Sequence, residues 1–201
     1  MKIIGVGKNY RGLLKEGEEI KEPIIFFKQD NAILKNNKPF YHPNISEKIN
    51  YEVELVIRID KAGKNISEKF AHKYYSEYAL GIDFTAADLI AEARKNGLPW
   101  DLAKGFNDAL PISEIRQKSE LGDVQNTNIS LLINGLEVQN ENTSQMVFTV
   151  DQIIAYVSKF MHLKKGDLIL TGTPIGANSI KVGDRLEGFV NDQKLLDFEI
   201  R

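Results

Sequence analysis

The sequence predicts an α+β protein that is rich in β-structure, and three observations support this fold class. Short apolar and β-branched runs, typical of strands, outnumber the helical segments. Strands and helices do not alternate as βαβ units, which favours mixed or antiparallel sheet. A length of 201 residues fits one large domain or two small ones. We expect a single domain spanning 1–201, in which residues 1–40 could form a small N-terminal lobe and lid.

Strands are expected at eight places along the chain, each a short run rich in Ile, Leu, Val, Phe and Tyr. They are residues 2–6, 24–28, 51–60, 78–83, 129–134, 168–172, 185–190 and 195–200. The similar stretches "KKGDLIL" and "KVGDRLE" are each explained by a Gly-Asp turn that leads into a strand, and they do not indicate an internal repeat.

Three helices are expected, at 67–76, about 86–96 and about 150–162. The second begins near Thr85, a capping residue with Asp88 three positions later, and it ends at Gly97. The third carries an apolar stripe at helical spacing, which should face the core. That stripe consists of Ile153, Ile154, Val157 and Phe160.

Composition excludes several classes of function. A formal net charge of -2 with interspersed signs gives no electrostatic support for binding nucleic acid or a membrane surface. The chain has no cysteine, so disulfides and thiolate metal sites are excluded. "MKIIGVG" lacks the apolar run of a signal peptide, and no stretch approaches 18 uninterrupted apolar residues. We therefore expect a soluble, cytoplasmic protein.

Several common motifs are absent. "GVGKNY" has Tyr10 where a dinucleotide-binding loop needs its third glycine, and it lacks the Gly-Lys-Ser/Thr of a phosphate-binding loop. The three histidines, His42, His72 and His162, have no metal-type spacing, and no G-x-S-x-G nucleophile motif occurs. The chain is therefore neither a zinc enzyme of a common type nor a serine hydrolase.

Two glutamates in "NYEVELVIRI" stand two residues apart on a strand that otherwise looks buried. Side chains at i and i+2 lie on the same face of a strand, so Glu52 and Glu54 should be neighbours. Asp83 ends another strand just before a helix. Three carboxylates from two strands could hold Mg²⁺ or Mn²⁺, since hard cations prefer oxygen ligands. The alternative interpretation is an amphipathic strand whose charges face water.

Two further segments could surround such a site. "GLPWDLAKGF" places Lys104 in apolar surroundings, and "LILTGTPIG" ends a buried-looking strand in the hydroxyls of Thr171 and Thr173. Each is weak evidence alone, because isolated lysines are usually solvated and threonines often cap turns.

Six segments in order resemble the fumarylacetoacetate hydrolase family, and the resemblance is closest to its short branch of acylpyruvate hydrolases and oxaloacetate decarboxylases. It extends over almost the whole chain. The matching segments are "GKNY" at 7–10, "EVEL" at 52–55, "GIDFTA" at 81–86, "LPWDLAKGF" at 98–106, "NG" at 134–135 with "TSQM" at 143–146, and "TGTPIG" at 171–176.

This resemblance implies a fold, a cofactor and a set of roles. The fold would be a β-rich roll of mixed sheets with a few flanking helices, usually a homodimer. Mg²⁺ or Mn²⁺ would be held by Glu52, Glu54 and Asp83 and would chelate a small 2-oxo acid, polarising its carbonyl. The remaining family roles would fall to Lys104 and Glu16 as catalytic residues and to Lys8, Tyr10 and Thr173 as substrate-binding residues.

The chain departs from the family pattern mainly around proton transfer. The family's "N-Y-x-x-H-x-x-E" lid motif is "NYRGLLKE" here, so Leu13 stands at the histidine position while Glu16 is kept. A leucine cannot activate water as a general base. Other family residues that bind substrate or support the site are also replaced. These replacements are Asn50, Ala87, Ile90, Asn107, and Ala177 and Asn178 after the retained Gly176.

Three hypotheses remain open. The first is a metal-dependent enzyme for small 2-oxo acids that acts by C–C bond hydrolysis, decarboxylation or keto–enol isomerisation. The residues present favour the two reactions that need no attacking water, although family membership alone favours hydrolysis. The second is an impaired member that binds metal and a dicarboxylate without efficient turnover. The third is a structural β-rich domain whose carboxylates face water.

Overall fold

The computed structural model describes residues 1–201 and confirms the β-rich α+β fold. It has four helices, one more than the three predicted, and the additional one is Asp101–Lys104. The strands are β1 (Ile3–Gly7), β2 (Ile24–Lys28), β3 (Ile33–Leu34), β4 (Ile49–Tyr51), β5 (Val53–Ile59), β6 (Tyr75–Ile82), β7 (Thr85–Ala86), β8 (Leu110–Pro111), β9 (Arg116–Gln117), β10 (Asn128–Ile133), β11 (Leu136–Asn142), β12 (Leu168–Leu170), β13 (Asn178–Ser179), β14 (Arg185–Val190) and β15 (Gln193–Glu199). The helices are α1 (Glu68–Ala71), α2 (Ala87–Asn96), α3 (Asp101–Lys104) and α4 (Val150–Phe160).

The largest sheet has six strands in the order β2-β1-β12-β5-β6-β9, and only the β1–β12 pair is parallel. A four-stranded antiparallel sheet, β11-β10-β14-β15, packs against β5 and β6. Gly188 of β14 lies so close to Leu80 of β6 that an added Cβ would come within 2.8 Å of it. Short sheets β13-β4-β7 and β3-β8 complete the roll. The central strand β5 is buried except at Arg58.

β1 pairs with both β2 and β12, so the first strand of the chain belongs to the main sheet. A separate lobe and lid at residues 1–40 stays a prediction. None of the four helices has the length and apolar character that a membrane-spanning helix needs.

Two helices are shorter than the sequence suggests. The first, expected at 67–76, ends at Ala71 because Tyr75 already belongs to strand β6, where it is buried. The third ends at Phe160 rather than at 162, and the Phe160 side chain is 67% exposed instead of facing the core. Its start is as expected, since Thr149 and Gln152 form a reciprocal capping box.

α2 has the expected extent, and Gly97 ends it in the left-handed conformation with a φ of 65°. The prediction that Thr85 caps this helix is wrong. The N-cap is Ala86, with no side-chain capping bond. The Thr85 hydroxyl instead donates to Glu52 Oε1 at 2.9 Å, and Asp88 accepts hydrogen bonds from Ser46 and the Glu47 amide.

Gly176 ends the turn after β12 and allows it to pack on β11. Its φ is 110°, and an added Cβ would lie 2.3 Å from the Val138 carbonyl oxygen. Gly176→Ala is expected to lower the free energy of unfolding by about 2–4 kcal/mol, because overpacking adds to a strained φ. Gly17→Ala is the matched control, since Gly17 also has a positive φ, of 75°, but a Cβ added there would have no neighbouring atom within 4 Å. Urea unfolding of both variants tests this, and equal losses would contradict it.

Candidate metal and substrate site

Three carboxylates meet where β4 and β5 join beside the end of β6. Val53 pairs with Ile82 across the sheet, which brings Glu52 opposite Asp83, and the Asp83 amide donates to the Glu52 carbonyl at 2.8 Å. One oxygen from each of Glu52, Glu54 and Asp83 lies within 4.8 Å of the others. Glu54 and Asp83 are buried, while Glu52 is partly exposed. The alternative of water-facing charges is therefore wrong for Glu54.

Glu54, like Asp83, is buried, with a relative exposure of 1%. Burial, followed by the charges of Asp83 and Glu52, raises the pKa of Glu54 well above its ordinary value. Its Oε2 accepts a hydrogen bond from the Gly172 amide at 2.6 Å, which fixes the carboxylate in place. A converging set of oxygens whose charges repel one another is what a hard divalent cation requires, so these residues fit such an ion.

Lys104 joins the cluster from the short helix α3. Its Nζ lies 2.6 Å from Asp83 Oδ2 and 2.9 Å from Glu52 Oε2, and it donates to Thr85 Oγ1 at 2.6 Å. Burial opposes the charge on Lys104, but the carboxylates of Asp83 and Glu52 outweigh this effect and raise its pKa. The centre of the Phe26 ring lies 4.6 Å from Lys104 Nζ, so the ring covers the ammonium group on one side. Lys104 therefore stays protonated.

A second buried lysine, Lys28, was missed by the sequence analysis. It ends β2, and its Nζ lies 2.6 Å from Asp83 Oδ1. It also donates to the carbonyls of Phe84 at 3.0 Å and Ala109 at 3.1 Å, and to that of Lys104. Burial lowers the pKa of Lys28, while Asp83 opposes that shift. The only signal was a lysine that directly follows the apolar run "IIFF".

The turn at 171–174, called the threonine turn below, lies beside the carboxylates, because its Gly172 amide donates to Glu54. Thr171 Oγ1 donates to the Leu55 carbonyl at 2.8 Å, and Asn9 Nδ2 donates to the Thr171 carbonyl at 2.8 Å. Thr173, which is 9% exposed, accepts from Gln139 Nε2 at 2.9 Å. Nothing in the sequence distinguished Gln139, which lies on β11, a strand that the sequence analysis did not predict.

The N-terminal candidates are more dispersed. Tyr10 is buried, its hydroxyl has no hydrogen-bond partner, and burial together with the charge of Glu54 raises its pKa. Lys8 instead forms an ion pair with Glu18. Glu16 is exposed and forms neither a hydrogen bond nor an ion pair. The structure thus brings Glu52, Glu54, Asp83 and Lys104 into one cluster but leaves Lys8 and Glu16 outside it.

Most positions that depart from the family motifs have structural roles. Leu13 ends a single 3₁₀ turn and packs against the hydrophobic core. Asn50 Oδ1 accepts from the Ser179 hydroxyl at 2.9 Å, and Asn107 Oδ1 accepts from Asn31. Ile90 lies on the buried face of α2. None of these side chains supplies a proton-transfer group.

Comparison with known proteins gives relatives over the full length of the chain. Oxaloacetate tautomerase FAHD1, mitochondrial, of Mus musculus is 37% identical over 201 residues, covering 99% of this chain and 91% of the relative. Fumarylpyruvate hydrolase from Pseudomonas aeruginosa, solved with Mn²⁺ and pyruvate, superposes with a TM-score of 0.93 at 29% identity, covering 100% of this chain and 89% of that one. The 5-carboxymethyl-2-hydroxymuconate delta-isomerase from Mycobacterium smegmatis gives a TM-score of 0.88 at 30% identity, covering 99% and 78%.

The family model described as Fumarylacetoacetate (FAA) hydrolase C-terminal matches residues 2–200. The three relatives above are a tautomerase, a hydrolase and an isomerase, so the fold that they share with this chain supports more than one reaction. Family model, sequence identity and superposition agree with the six motifs, and the chain belongs to the fumarylacetoacetate hydrolase family.

Proposed function

We propose that the chain is a divalent-metal-dependent enzyme that interconverts the keto and enol forms of a small 2-oxo acid, with oxaloacetate as the first substrate to test. The observation that carries this proposal is the cluster of Glu52, Glu54 and Asp83, in which Lys104 forms ion pairs with two of the three carboxylates. Support also comes from the mouse relative, which is an oxaloacetate tautomerase. Decarboxylation of the same substrate class is the next reaction to test.

The charge of the cluster suits an anionic substrate that binds together with a metal ion. Two buried ammonium groups adjoin the three carboxylates: Lys28 pairs with Asp83, and Lys104 pairs with Asp83 and Glu52. The protein side of the site therefore carries one net negative charge when all five groups are ionised. A divalent cation would make the site net positive, and a carboxylate substrate would then complete the neutralisation.

Glu52, Glu54 and Asp83 would hold Mg²⁺ or Mn²⁺, and the bound ion would supply Lewis-acid polarisation of the keto oxygen. The Lys104 ammonium adds a fixed positive charge beside the oxygen that becomes negative in the enolate. Thr173 binds the substrate carboxylate through its hydroxyl. Tyr10 has an unpartnered hydroxyl, close enough to Glu54 for that charge to raise the Tyr10 pKa, and it can donate to a bound ligand.

Proton transfer to and from the substrate carbon is assigned to Glu16. This residue is exposed and free of ion pairs, so its carboxylate can reach a substrate if the segment around it closes. With Leu13 in place of the lid histidine, activation of an attacking water is weak, because general acid–base groups contribute about 10²–10⁴-fold to such steps. Isomerisation and decarboxylation avoid that requirement.

The exposed position of Glu16 also favours a second candidate, in which the protein binds metal and a dicarboxylate without efficient turnover. Both candidates predict metal binding, so only an assay of turnover separates them. Lys8, paired with Glu18, would have to release that partner before it could contact a substrate. The homodimer and the cytoplasmic location expected from the sequence stay predictions.

Metal-dependent turnover is expected when protein stripped with a chelator is reloaded with Mg²⁺ or Mn²⁺. Absorbance is used to follow three reactions. They are the enol–keto conversion of oxaloacetate, its decarboxylation, and the cleavage of acetylpyruvate and fumarylpyruvate. Glu52→Gln should reduce turnover by more than about 100-fold, because it removes a ligand of the ion. Glu47→Gln, at an exposed position, is the matched control and should retain activity. No turnover by folded, metal-binding protein would favour the second candidate.

A further inference from the structure

Gln139 connects the metal cluster with the threonine turn, although it belongs to the second sheet. It is 2% exposed on β11, beside a β-bulge at which Leu131 pairs with Gln139 but Leu132 pairs with Glu137. Bulges change the direction in which neighbouring side chains point. Here the amide of Gln139 reaches across to the Val53 amide, between Glu52 and Glu54, and to the turn that carries Thr173.

The orientation of the Gln139 amide is fixed by two backbone groups. Its Oε1 accepts from the Val53 amide at 2.9 Å, and a backbone N–H can only donate. Its Nε2 donates to the Pro174 carbonyl at 2.9 Å, and a carbonyl can only accept. Exchanging the oxygen and nitrogen would oppose like groups at both contacts. The amide therefore has one satisfied orientation, whatever the Thr173 hydroxyl does.

This orientation determines the role of the Thr173 hydroxyl. The second hydrogen of Gln139 Nε2 is directed to Thr173 Oγ1 at 2.9 Å, so the hydroxyl oxygen is an acceptor in that bond. The hydroxyl hydrogen must then point elsewhere, and it meets no acceptor within the protein. A hydroxyl held in this way is a hydrogen-bond donor prepared for an anion.

We infer that Gln139 is a positioning residue that makes Thr173 an obligate donor to the carboxylate of a 2-oxo acid and ties that donor to the strand of the metal-binding glutamates. The inference rests on the proposed function, because it assumes that a 2-oxo acid carboxylate binds at Thr173. The fixed span from Val53 through Gln139 to Thr173 sets the distance between the metal ligands and the carboxylate subsite. In a 2-oxo acid the keto oxygen and the carboxylate are also held at a fixed distance from each other, so a fixed distance in the site would select this class of substrate.

Gln139→Glu tests the polarity of this hydrogen bond with little change in shape. The new carboxylate can still accept from Val53, but at Thr173 it offers an acceptor in place of a donor, so the hydroxyl should turn towards it and away from the ligand. Binding of pyruvate to the Mg²⁺-loaded protein, measured by calorimetry, is expected to weaken about 10- to 100-fold. Added negative charge would contribute to that loss, so the same substitution is repeated in two further backgrounds.

In a Thr173→Val background the hydroxyl is gone, and the loss of pyruvate affinity caused by Gln139→Glu should be about tenfold smaller than in the wild type. In a Thr173→Ser background the hydroxyl is kept, and the full loss should return. Equal losses in all three backgrounds would overturn the inference, because Gln139 would then act without Thr173. If Gln139→Glu does not fold, Gln139→Met is compared in the same backgrounds, with an expected difference of about threefold or more.

Two readouts separate this inference from the function on which it rests. Wild-type protein that binds Mg²⁺ but shows no metal-dependent binding of pyruvate would contradict both. Wild-type binding with equal losses in the three backgrounds would contradict only the role of Gln139. In the Gln139 variants, the apparent affinity for Mg²⁺, obtained from the rise of the melting temperature with Mg²⁺ concentration, should change by less than about threefold, because all three proposed metal-binding carboxylates are kept.

Discussion

Asp83→Asn is expected to destabilise the protein by about 3–5 kcal/mol and to remove its stabilisation by Mg²⁺. Asp83 is fully buried, and each of its oxygens faces a different lysine, with Lys28 and Lys104 both at 2.6 Å. Lys104 keeps Glu52 as a second partner, but Lys28 has no other carboxylate within ion-pair distance. Removing the charge of Asp83 leaves a buried ammonium group without an anion, which is among the most costly single changes in a core.

The measurement is urea unfolding at several Mg²⁺ concentrations. Wild-type protein should gain about 2.7 kcal/mol when Mg²⁺ reaches one hundred times its dissociation constant, since the ion binds only the folded state. Asp192→Asn is the matched control, because Asp192 is exposed and forms no ion pair. A variant at position 83 that retained the full Mg²⁺ response would exclude Asp83 as a ligand.

The sequence identified the strands and helices whose patterns are local. Strands 24–28 and 185–190 have the predicted bounds, and α2 ends at Gly97, because apolar runs and a left-handed glycine act over a few residues. Short strands such as β4 and β7 were missed, since two or three residues have no periodicity to detect. Phe160 fits the helical stripe, but α4 ends there and leaves its side chain exposed.

The site was predictable where charge appears in an unexpected place. Glu52 and Glu54 on an apolar strand, with Asp83 at the end of another, suggested a cation, because buried charges are costly unless they are paired or bind a metal. Lys28 and Gln139 escaped because their importance depends on partners far along the chain, at separations of 55 and 86 residues. A lysine after an apolar run looks like an ordinary strand end, and a lone glutamine on an unrecognised strand gives no signal.

Leu13→His is expected to raise the hydrolysis of acetylpyruvate or fumarylpyruvate by about 10²–10⁴-fold, the usual contribution of a positioned general base. The substitution restores the lid histidine of the family motif three residues before Glu16, while the three clustered carboxylates and Lys104 are unchanged. Turnover of oxaloacetate should change little, because isomerisation and decarboxylation need no activated water. The ratio of the two activities is therefore the most informative quantity.

Leu14→His is the matched control, since Leu14 is the neighbouring half-buried leucine in the same segment and should give no gain. The double variant Leu13→His with Glu16→Gln should lose most of the gain, because the carboxylate orients the imidazole and stabilises its protonated form. If folded Leu13→His protein binds Mg²⁺ but hydrolyses neither substrate, the lid histidine is not what separates this chain from the hydrolases. The replacements at Ala87 and Ile90, on the helix that follows Asp83, would then carry the difference, because they remove polar groups that the family motif places near the substrate.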